Sequence, residues 1–275
     1  MHAFGKGEEF KTHYPYSNYV EFENEFYQSK EYKKMGNYWL EKFTDFNFSN
    51  PLKIREDLDG TSHSTVLMDN ELADNLVKFA KQNGTTLYNL MLSAYNIAIS
   101  HFTGREDIAV VTPVLNRYLP EFKNCIGVFT NLVPLRNKIV KDLIISEFIG
   151  NVTKVTKDGL KNQFYQYNHL IEDLKKYEPQ FLYYMDFEDK SLKKHRTTED
   201  IPHSVNIPKF CIDLEVKNLN DTYNVTASYK EKYFNEFEIS YILDSFFKIL
   251  ESIINGENSD KKIKQITVSL NVPSS

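Results

Sequence analysis

The sequence predicts an α/β fold, a two-layer sandwich in which helices pack on a mixed β-sheet. Three observations lead there. Helical and strand-like periods alternate along most of the chain, the pattern of strands joined by helical connections. The run Ile108-Ala109-Val110-Val111-Thr112-Pro113-Val114 is apolar nearly throughout, as expected of a central strand buried on both faces. Late in the chain, Cys211–Val216 and Asn224–Tyr229 read as strands joined by a turn at Asp221, so antiparallel pairs accompany the crossovers.

The elements follow in order. Residues 1–15 have no apolar period and read as a frayed leading segment. Ser17–Phe43 is helical, because Tyr19, Phe22, Phe26 and Tyr27 share one face; Gly36 marks a break before Tyr38, Trp39 and Phe43. Asn47–Gly60 is rich in turn residues and ends in Asp57-Leu58-Asp59-Gly60. Ser64–Met68 reads as a strand. Asp69 or Asn70 then caps a helix with Leu72, Leu76, Phe79 and Ala80 on its apolar face, closed by Asn83-Gly84. Thr85 or Thr86 caps the next helix, in which Leu87, Leu90, Met91, Ala94, Tyr95, Ala98 and Ile99 form a broad buried face before Gly104.

Asp107–Val114 is the buried strand, Asn116–Lys123 a polar loop, and Ile126–Leu135 a second apolar strand. Phe148–Lys161 and Leu170–Tyr177 read as helices and Phe181–Phe187 as a strand. After the late hairpin, Ile239–Ile254 is an amphipathic helix ended by Asn255-Gly256, and Ile263–Leu270 a terminal strand. The polar stretch 188–208 reads as a crossing loop or an arm. No internal repeat occurs, and 275 residues are long enough for one large core or two modest ones.

Composition narrows the function. The chain is 41% hydrophobic and 26% charged over 275 residues, ordinary for a folded soluble protein. Its 20 Phe and 18 Tyr supply large buried areas. The net charge is -5, and the densest basic runs, Lys193-Lys194-His195-Arg196 and Lys261-Lys262, are short. Nucleic-acid binding needs a concentrated basic face, so it is not expected. No run of about 18 apolar residues is present and no signal-type N-terminus, which points to the cytoplasm and away from membranes. Cys125 and Cys211 sit in apolar contexts and are expected as buried free thiols. The seven histidines lack metal-ligand spacing, and neither a Gly-x-Ser-x-Gly elbow nor a Gly-rich phosphate loop occurs. His101 is expected to sit at a helix C-terminus, where a cation is favourable, and His169 to start a helix. Glu23/Glu25 and Asp186–Asp189 read as solvated faces or loops.

One stretch carries a family pattern. Gly84–Arg136 holds a Thr-capped helix of small and apolar residues, a Gly turn, an Asp-led buried strand, a loop with Arg117, then Ile126-Gly127-Val128-Phe129-Thr130-Asn131 and Arg136. This order resembles the condensation domains of nonribosomal peptide synthetases, with Ile126, Gly127, Phe129, Asn131 and Arg136 in register. Flanking segments agree. Tyr14–Phe26 resembles the family's Tyr-x-Asp-Tyr-x-x-Trp segment, with Asn18 and Phe22 at the Asp and Trp positions. Tyr38-Trp39-Leu40 resembles its Tyr-Trp element, with Phe43 where Leu is usual. Asn162-Gln163 and the helix from Leu170 resemble its His-Gln segment, with Tyr167-Asn168 where Pro-Phe is usual. Tyr229 and Phe234 resemble the pattern that introduces the last helix.

The resemblance implies half of a chloramphenicol acetyltransferase-like fold, namely the C-terminal lobe of a condensation domain, with residues 1–275 expected to form that single lobe. The family's catalytic signature, His-His-x-x-x-Asp-Gly, is absent, since no two histidines are adjacent. The catalytic histidine is therefore expected outside this chain, in an N-terminal lobe, and the chain alone is expected to be inactive. Thr112, Pro113, Arg117, Gly127, Phe129, Asn131 and Arg136 would line a substrate tunnel between lobes. Asn131 would hydrogen-bond an amide or pantetheine group, and Arg117 or Arg136 would meet a carboxylate or phosphate. Each also has a plain structural role open to it: a strand bend for Gly127, a turn for Asn131, an ion pair for either arginine. No directly bound cofactor is implied; the phosphopantetheine arms of peptidyl carrier proteins bring the substrates. The expected partners are those carriers and the N-terminal lobe. Other roles the resemblance leaves open are a noncatalytic carrier-binding or partner subunit, a lobe of an epimerisation or heterocyclisation domain, and a related acyltransferase.

Overall fold

A computed structural model describes residues 15–117, 119–188, 208–219, 222–255 and 261–266. The leading segment, most of the 188–208 arm with His195 and His203, the turn at Asp221, and residues 267–275 lie outside the described residues. The chain divides into two compact units.

The first unit comprises residues 1–45, 113–133 and 160–178. It holds helices α1 (Tyr16–Tyr27), α2 (Lys30–Phe43) and α6 (Tyr167–Asp173), with short 3-10 turns at Pro120–Asn124 and Lys175–Tyr177. The sequence predicts one helix broken at Gly36, but the break falls at Gln28–Ser29. There the Ser29 Oγ accepts the Tyr32 N–H at 3.0 Å and caps a new helix. Gly36 stays inside α2, because a Cβ would come within 2.7 Å of the Tyr165 ring. The small core is aromatic: Tyr19, Phe122 and Phe129 pack with Cys125 and the partly buried Phe22. Tyr19 meets the other two rings at centroid distances of 5.1 and 4.3 Å.

The second unit comprises residues 46–112, 134–159 and 179–275. Strands β1 (Thr61–Leu67), β2 (Asp107–Val114), β3 (Asn131–Lys138), β4 (Tyr183–Glu188), β5 (Ile212–Leu219) and β6 (Thr222–Lys230) make a six-stranded sheet in the order β1-β6-β5-β4-β2-β3. The sheet is mixed, as predicted: β4 runs parallel to both β2 and β5, while β6 is antiparallel to β5 and β1. Helices α3 (Asn70–Gln82), α4 (Leu87–Thr103), α5 (Ile145–Lys161) and α7 (Glu236–Ile254) supply the rest of its core.

Local chemistry sets these boundaries. Asp69 caps α3 through the N–H groups of Glu71 and Leu72, and Thr86 caps α4 through that of Asn89. Gly84 and Gly104 take left-handed φ of 62° and 72° after these two helices, a region glycine enters without steric cost. Asn235 and Glu238 form a reciprocal capping box on α7. Two strand predictions shift. The β3 ladder starts at Asn131 rather than Ile126, because Ile126 and Val128 stay 76% and 79% exposed while Phe129 turns into the aromatic core. Of the strand expected at 263–270, the described part holds a 3-10 turn at Ile263–Gln265, beside an antiparallel bridge between Ile144 and Lys262, and residues 267–270 lie outside the described residues.

Candidate functional site: the polar face of the sheet

Strand residues alternate between faces, so each strand contributes two different surfaces. On one face, Tyr183, Met185, Ile212, Leu214, Val216, Tyr223, Val225 and Ala227 join the hydrophobic core. On the opposite face the intervening residues are polar. Register places Tyr184 beside Asp213, Asp186 beside Glu215, Asp213 beside Ser228, and Glu215 beside Thr226. Lys217 reaches Glu215 at 2.8 Å, and the Thr65 and Thr226 hydroxyls meet at 2.9 Å.

This face is screened from solvent more than its polarity suggests. Asp213 and Ser228 are buried, while Asp186, Glu215 and Lys217 are partly so. Burial pushes the Asp213 carboxyl up to about 6, although the N–H groups of Lys209 (3.0 Å) and Phe210 (3.1 Å) and the charge of Lys230 oppose that rise. Burial, then the charge of Glu215, also raises Asp186, with Lys217 acting against them. Asp186 stands in β4, within the strand expected at 181–187, but on a partly buried face rather than the solvated face or loop expected of it. The result is a row of hydroxyls and carboxyls with one near-neutral acid, able to accept hydrogen bonds from amide or amine groups. Strand alternation and the β5–β6 pairing were legible in the sequence, but the places of β4 and β1 beside that pair were not, so the polar side chains could not all be grouped.

The residues singled out from the sequence fall in both units. In the first, Asn131 is committed to backbone. Its Nδ2 donates to the carbonyls of Gln163 (2.7 Å) and Tyr165 (2.8 Å), and its Oδ1 accepts from the Tyr167 N–H (3.0 Å). Arg117 donates to the carbonyl oxygens of Phe122 and Cys125 and lies 4.0 Å from the Phe129 ring centroid, a cation–π contact. Gly127 lies against Tyr16, whose ring a Cβ would overlap and whose hydroxyl donates to the Val128 carbonyl at 2.6 Å. In the second unit, Arg136 is paired with Asp107. Thr112 continues the core-facing series of Ile108 and Val110, beside the Tyr88 hydroxyl, and Pro113, next in β2, is the first residue of the 113–133 segment of the first unit.

The histidines also have defined settings. His101 lies in the last turn of α4, as expected, but burial and then the charge of Lys141 push its pKa down. The neutral imidazole is favoured there, against the expected cation. His169 lies within α6, with its Nδ1 2.5 Å from the Tyr32 hydroxyl, which also accepts the Gln166 N–H. Cys125 and Cys211 are buried and free. Among the described residues no cluster could hold a metal ion, and no helix is long and apolar enough to cross a membrane.

Comparison with known proteins agrees with this fold. A family model described as "Condensation domain" matches residues 2–270. Bacitracin synthase 1 of Bacillus licheniformis is 30% identical over 269 residues, covering 91% of this chain and 5% of that protein. Bacitracin synthase 3 of the same organism is 28% identical over 270 residues, covering 91% of this chain and 4% of the relative. The chain therefore spans only a small part of the length of these relatives. The solved first condensation domain of the calcium-dependent antibiotic synthetase, in complex with a substrate analogue, superimposes with a TM-score of 0.77 at 14% identity, over 98% of this chain and 61% of that one. At that identity the likeness concerns the fold.

Proposed function

Since the chain belongs to the condensation-domain family of nonribosomal peptide synthetases, we propose that it builds one wall of a tunnel in which peptide bonds form between carrier-bound substrates. The amine of one aminoacyl thioester attacks the thioester carbonyl of another. A C–N bond forms and the C–S bond breaks, and a base takes the amine proton and passes it to the departing pantetheine thiolate, which leaves as a thiol. The chain carries no adjacent histidine pair. In this reading it is a C-terminal lobe, and the histidine base comes from an N-terminal lobe outside this sequence.

The observation that carries the proposal is the contrast between the two faces of the sheet: one packed with aliphatic side chains, the other holding Asp186, Asp213, Glu215, Thr226 and Ser228. A polar, partly dehydrated surface suits substrates made of amides. It orients them by hydrogen bonds, and positioning alone lowers a bimolecular barrier by several kcal/mol, ~7 or more in favourable cases. Of the seven residues singled out from the sequence, Thr112 and Arg136 serve this wall by fixing β2 and β3, and the others are held in contacts of the first unit. Asn131, Arg117 and Arg136 tie down backbone and strand ends, Phe129 and Gly127 set the loop before β3, and Thr112 and Pro113 end β2. Phosphopantetheine belongs to the carriers and enters with the substrate. The partners are peptidyl carrier domains and the N-terminal lobe, and the setting is the cytoplasm.

The test is a condensation assay with two loaded carrier proteins, run with this chain alone and with a separately made N-terminal lobe. Dipeptidyl-carrier product is expected only when both lobes are present. Product from this chain alone, or none from the pair once both are shown to be folded and associated, counts against the reading.

A further inference from the structure

Strand β1 ends the sheet on one side, where among the described strands it pairs only with β6. The register runs unbroken from Thr61 opposite Lys230 to Leu67 opposite Asn224. Just beyond its ends, the Glu231 N–H donates to the Gly60 carbonyl at 2.9 Å and the Met68 N–H to the Tyr223 carbonyl at 2.8 Å. In an antiparallel ladder every second residue exchanges both its bonds with the partner strand. Gly60 and Met68 therefore fix the phase: even-numbered residues bond to β6, and Thr61, His63, Thr65 and Leu67 turn their N–H and C=O groups to the free edge. We propose that a second copy of this chain pairs there, β1 against β1 and antiparallel, about a two-fold axis at Ser64, so that one sheet runs through both copies.

The edge lacks the devices that keep strands apart. Soluble proteins guard a sheet edge with lysine, proline, a bulge or a covering segment. The opposite edge strand, β3, follows that rule, with Pro134, Arg136 and Lys138 in its sequence. Strand β1 reads Thr-Ser-His-Ser-Thr-Val-Leu: no proline, no glycine, no Asp, Glu, Lys or Arg, and no bulge in its register. Thr61, His63, Thr65, Val66 and Leu67 are exposed among the described residues, Leu67 to 65%.

A second copy fits because the strand is self-complementary. It has 7 residues with an edge-facing one at each end, so a dyad on the central residue gives every edge-facing residue a partner. Thr61 meets the partner's Leu67 and His63 meets the partner's Thr65, which closes about eight N–H···O bonds. On the other face Ser64 meets its own copy and Ser62 meets the partner's Val66. No like charges are opposed in any of these cross-strand pairs. Such a contact is isologous, so it closes at two copies and leaves no further free β1 edge. It is one strand wide, in the class below about 1,200 Å², so the dimer should be weak, with Kd on the order of 100 µM.

The test is sedimentation equilibrium of the chain from about 10 to 500 µM, where the mean mass should rise from one copy toward two. His63→Pro removes an edge-facing N–H that β6 does not use, a position where a strand tolerates proline, so it should fold and weaken the dimer at least ~10-fold. Two cysteine variants read the register independently of the proline. Ser64→Cys sets a non-hydrogen-bonded pair across the dyad with Cα atoms about 4.5 Å apart, within disulfide range. Leu67→Cys sets its pair about 20 Å apart. Mild oxidation should link the first into a covalent dimer and leave the second unlinked; Cys125 and Cys211 are buried and do not compete. A mass of one copy at every concentration would overturn the proposal and leave the edge to a strand of another protein. A dimer that His63→Pro leaves intact, or that links through Leu67→Cys and not through Ser64→Cys, would overturn it by placing the contact elsewhere.

Discussion

Arg136 in β3 grips Asp107 at the start of β2 by two points: its Nε lies 2.9 Å from Oδ1 and its Nη2 2.5 Å from Oδ2. The arginine side chain is 9% exposed and its guanidinium also lies 5.2 Å from the Phe46 ring centroid. Two-point geometry and partial burial lift this pair above an ordinary surface ion pair. Arg136→Ala should cost on the order of 2–3 kcal/mol, because it leaves Asp107 short of its partner. Arg136→Lys keeps the charge but loses the fork and should cost about half as much. Urea unfolding of the three proteins checks the ranking; equal stabilities would show that the pair contributes nothing.

Asn131 makes a sharper prediction because its two side-chain ends face opposite partners. The amide nitrogen faces the carbonyls of Gln163 and Tyr165, and the oxygen faces an N–H. Asn131→Asp puts an oxygen where a double donor is needed, against two carbonyl oxygens. It should cost about 3 kcal/mol and exceed the cost of Asn131→Ala at neutral pH, although it is the closer isostere. Chemical denaturation at pH 7 measures both. The opposite order would mean that these carbonyls are satisfied in another way.

Two helical glycines should respond to alanine with opposite signs. Gly150 lies on the exposed side of α5 with nothing within 4 Å of a Cβ, so Gly150→Ala should stabilise by up to about 1 kcal/mol through helix propensity. Gly36 has the same propensity to gain, but its Cβ would press on Tyr165, whose hydroxyl is held by Asp173. Overpacking of this kind costs about 1–3 kcal/mol, so the net change should be destabilising. Thermal unfolding of the two variants decides it. Stabilisation by both would mean that the Tyr165 ring yields freely.

These sites also mark how far the sequence could be read. Caps at Asp69 and Thr86 and stops at Gly84 and Gly104 were legible, because the chemistry that ends a helix lies within four residues of its end. The break at Ser29 was not, since a lone serine competes as a signal with the more conspicuous Gly36, whose true reason is a ring 129 positions along the chain. Ile126 and Val128 look like strand residues by propensity, yet they stay exposed because tertiary context decides which apolar residues are covered. The polar face needed the full strand order, and the hydrogen bond from Gln166 to Glu23 needed a distant segment brought to α1; neither follows from local spacing.

Asp213 links the polar face to a pH dependence. Its folded pKa is about 6 against an ordinary 3.8, raised chiefly by burial. The native state therefore holds this proton more tightly than the unfolded chain does. Its contribution to stability is full below pH 3.8 and is lost as pH rises toward 6, a span worth about 3 kcal/mol at ~1.36 kcal/mol per unit. Asp213→Asn removes the titration but has one oxygen for the two N–H groups of Lys209 and Phe210, which returns about 1 kcal/mol of the gain. The variant should match or trail the parent at pH 4 and exceed it by about 1–2 kcal/mol at pH 7. Urea unfolding at both pH values measures the difference. A constant offset between the two proteins would mean that Asp213 ionises normally and that solvent reaches this face. The same variant bears on the tunnel proposal, because a wall that accepts substrate N–H groups through Asp213 should lose acceptor strength in the asparagine form. With both lobes supplied, condensation should slow above pH 6 relative to the parent and approach it below that pH.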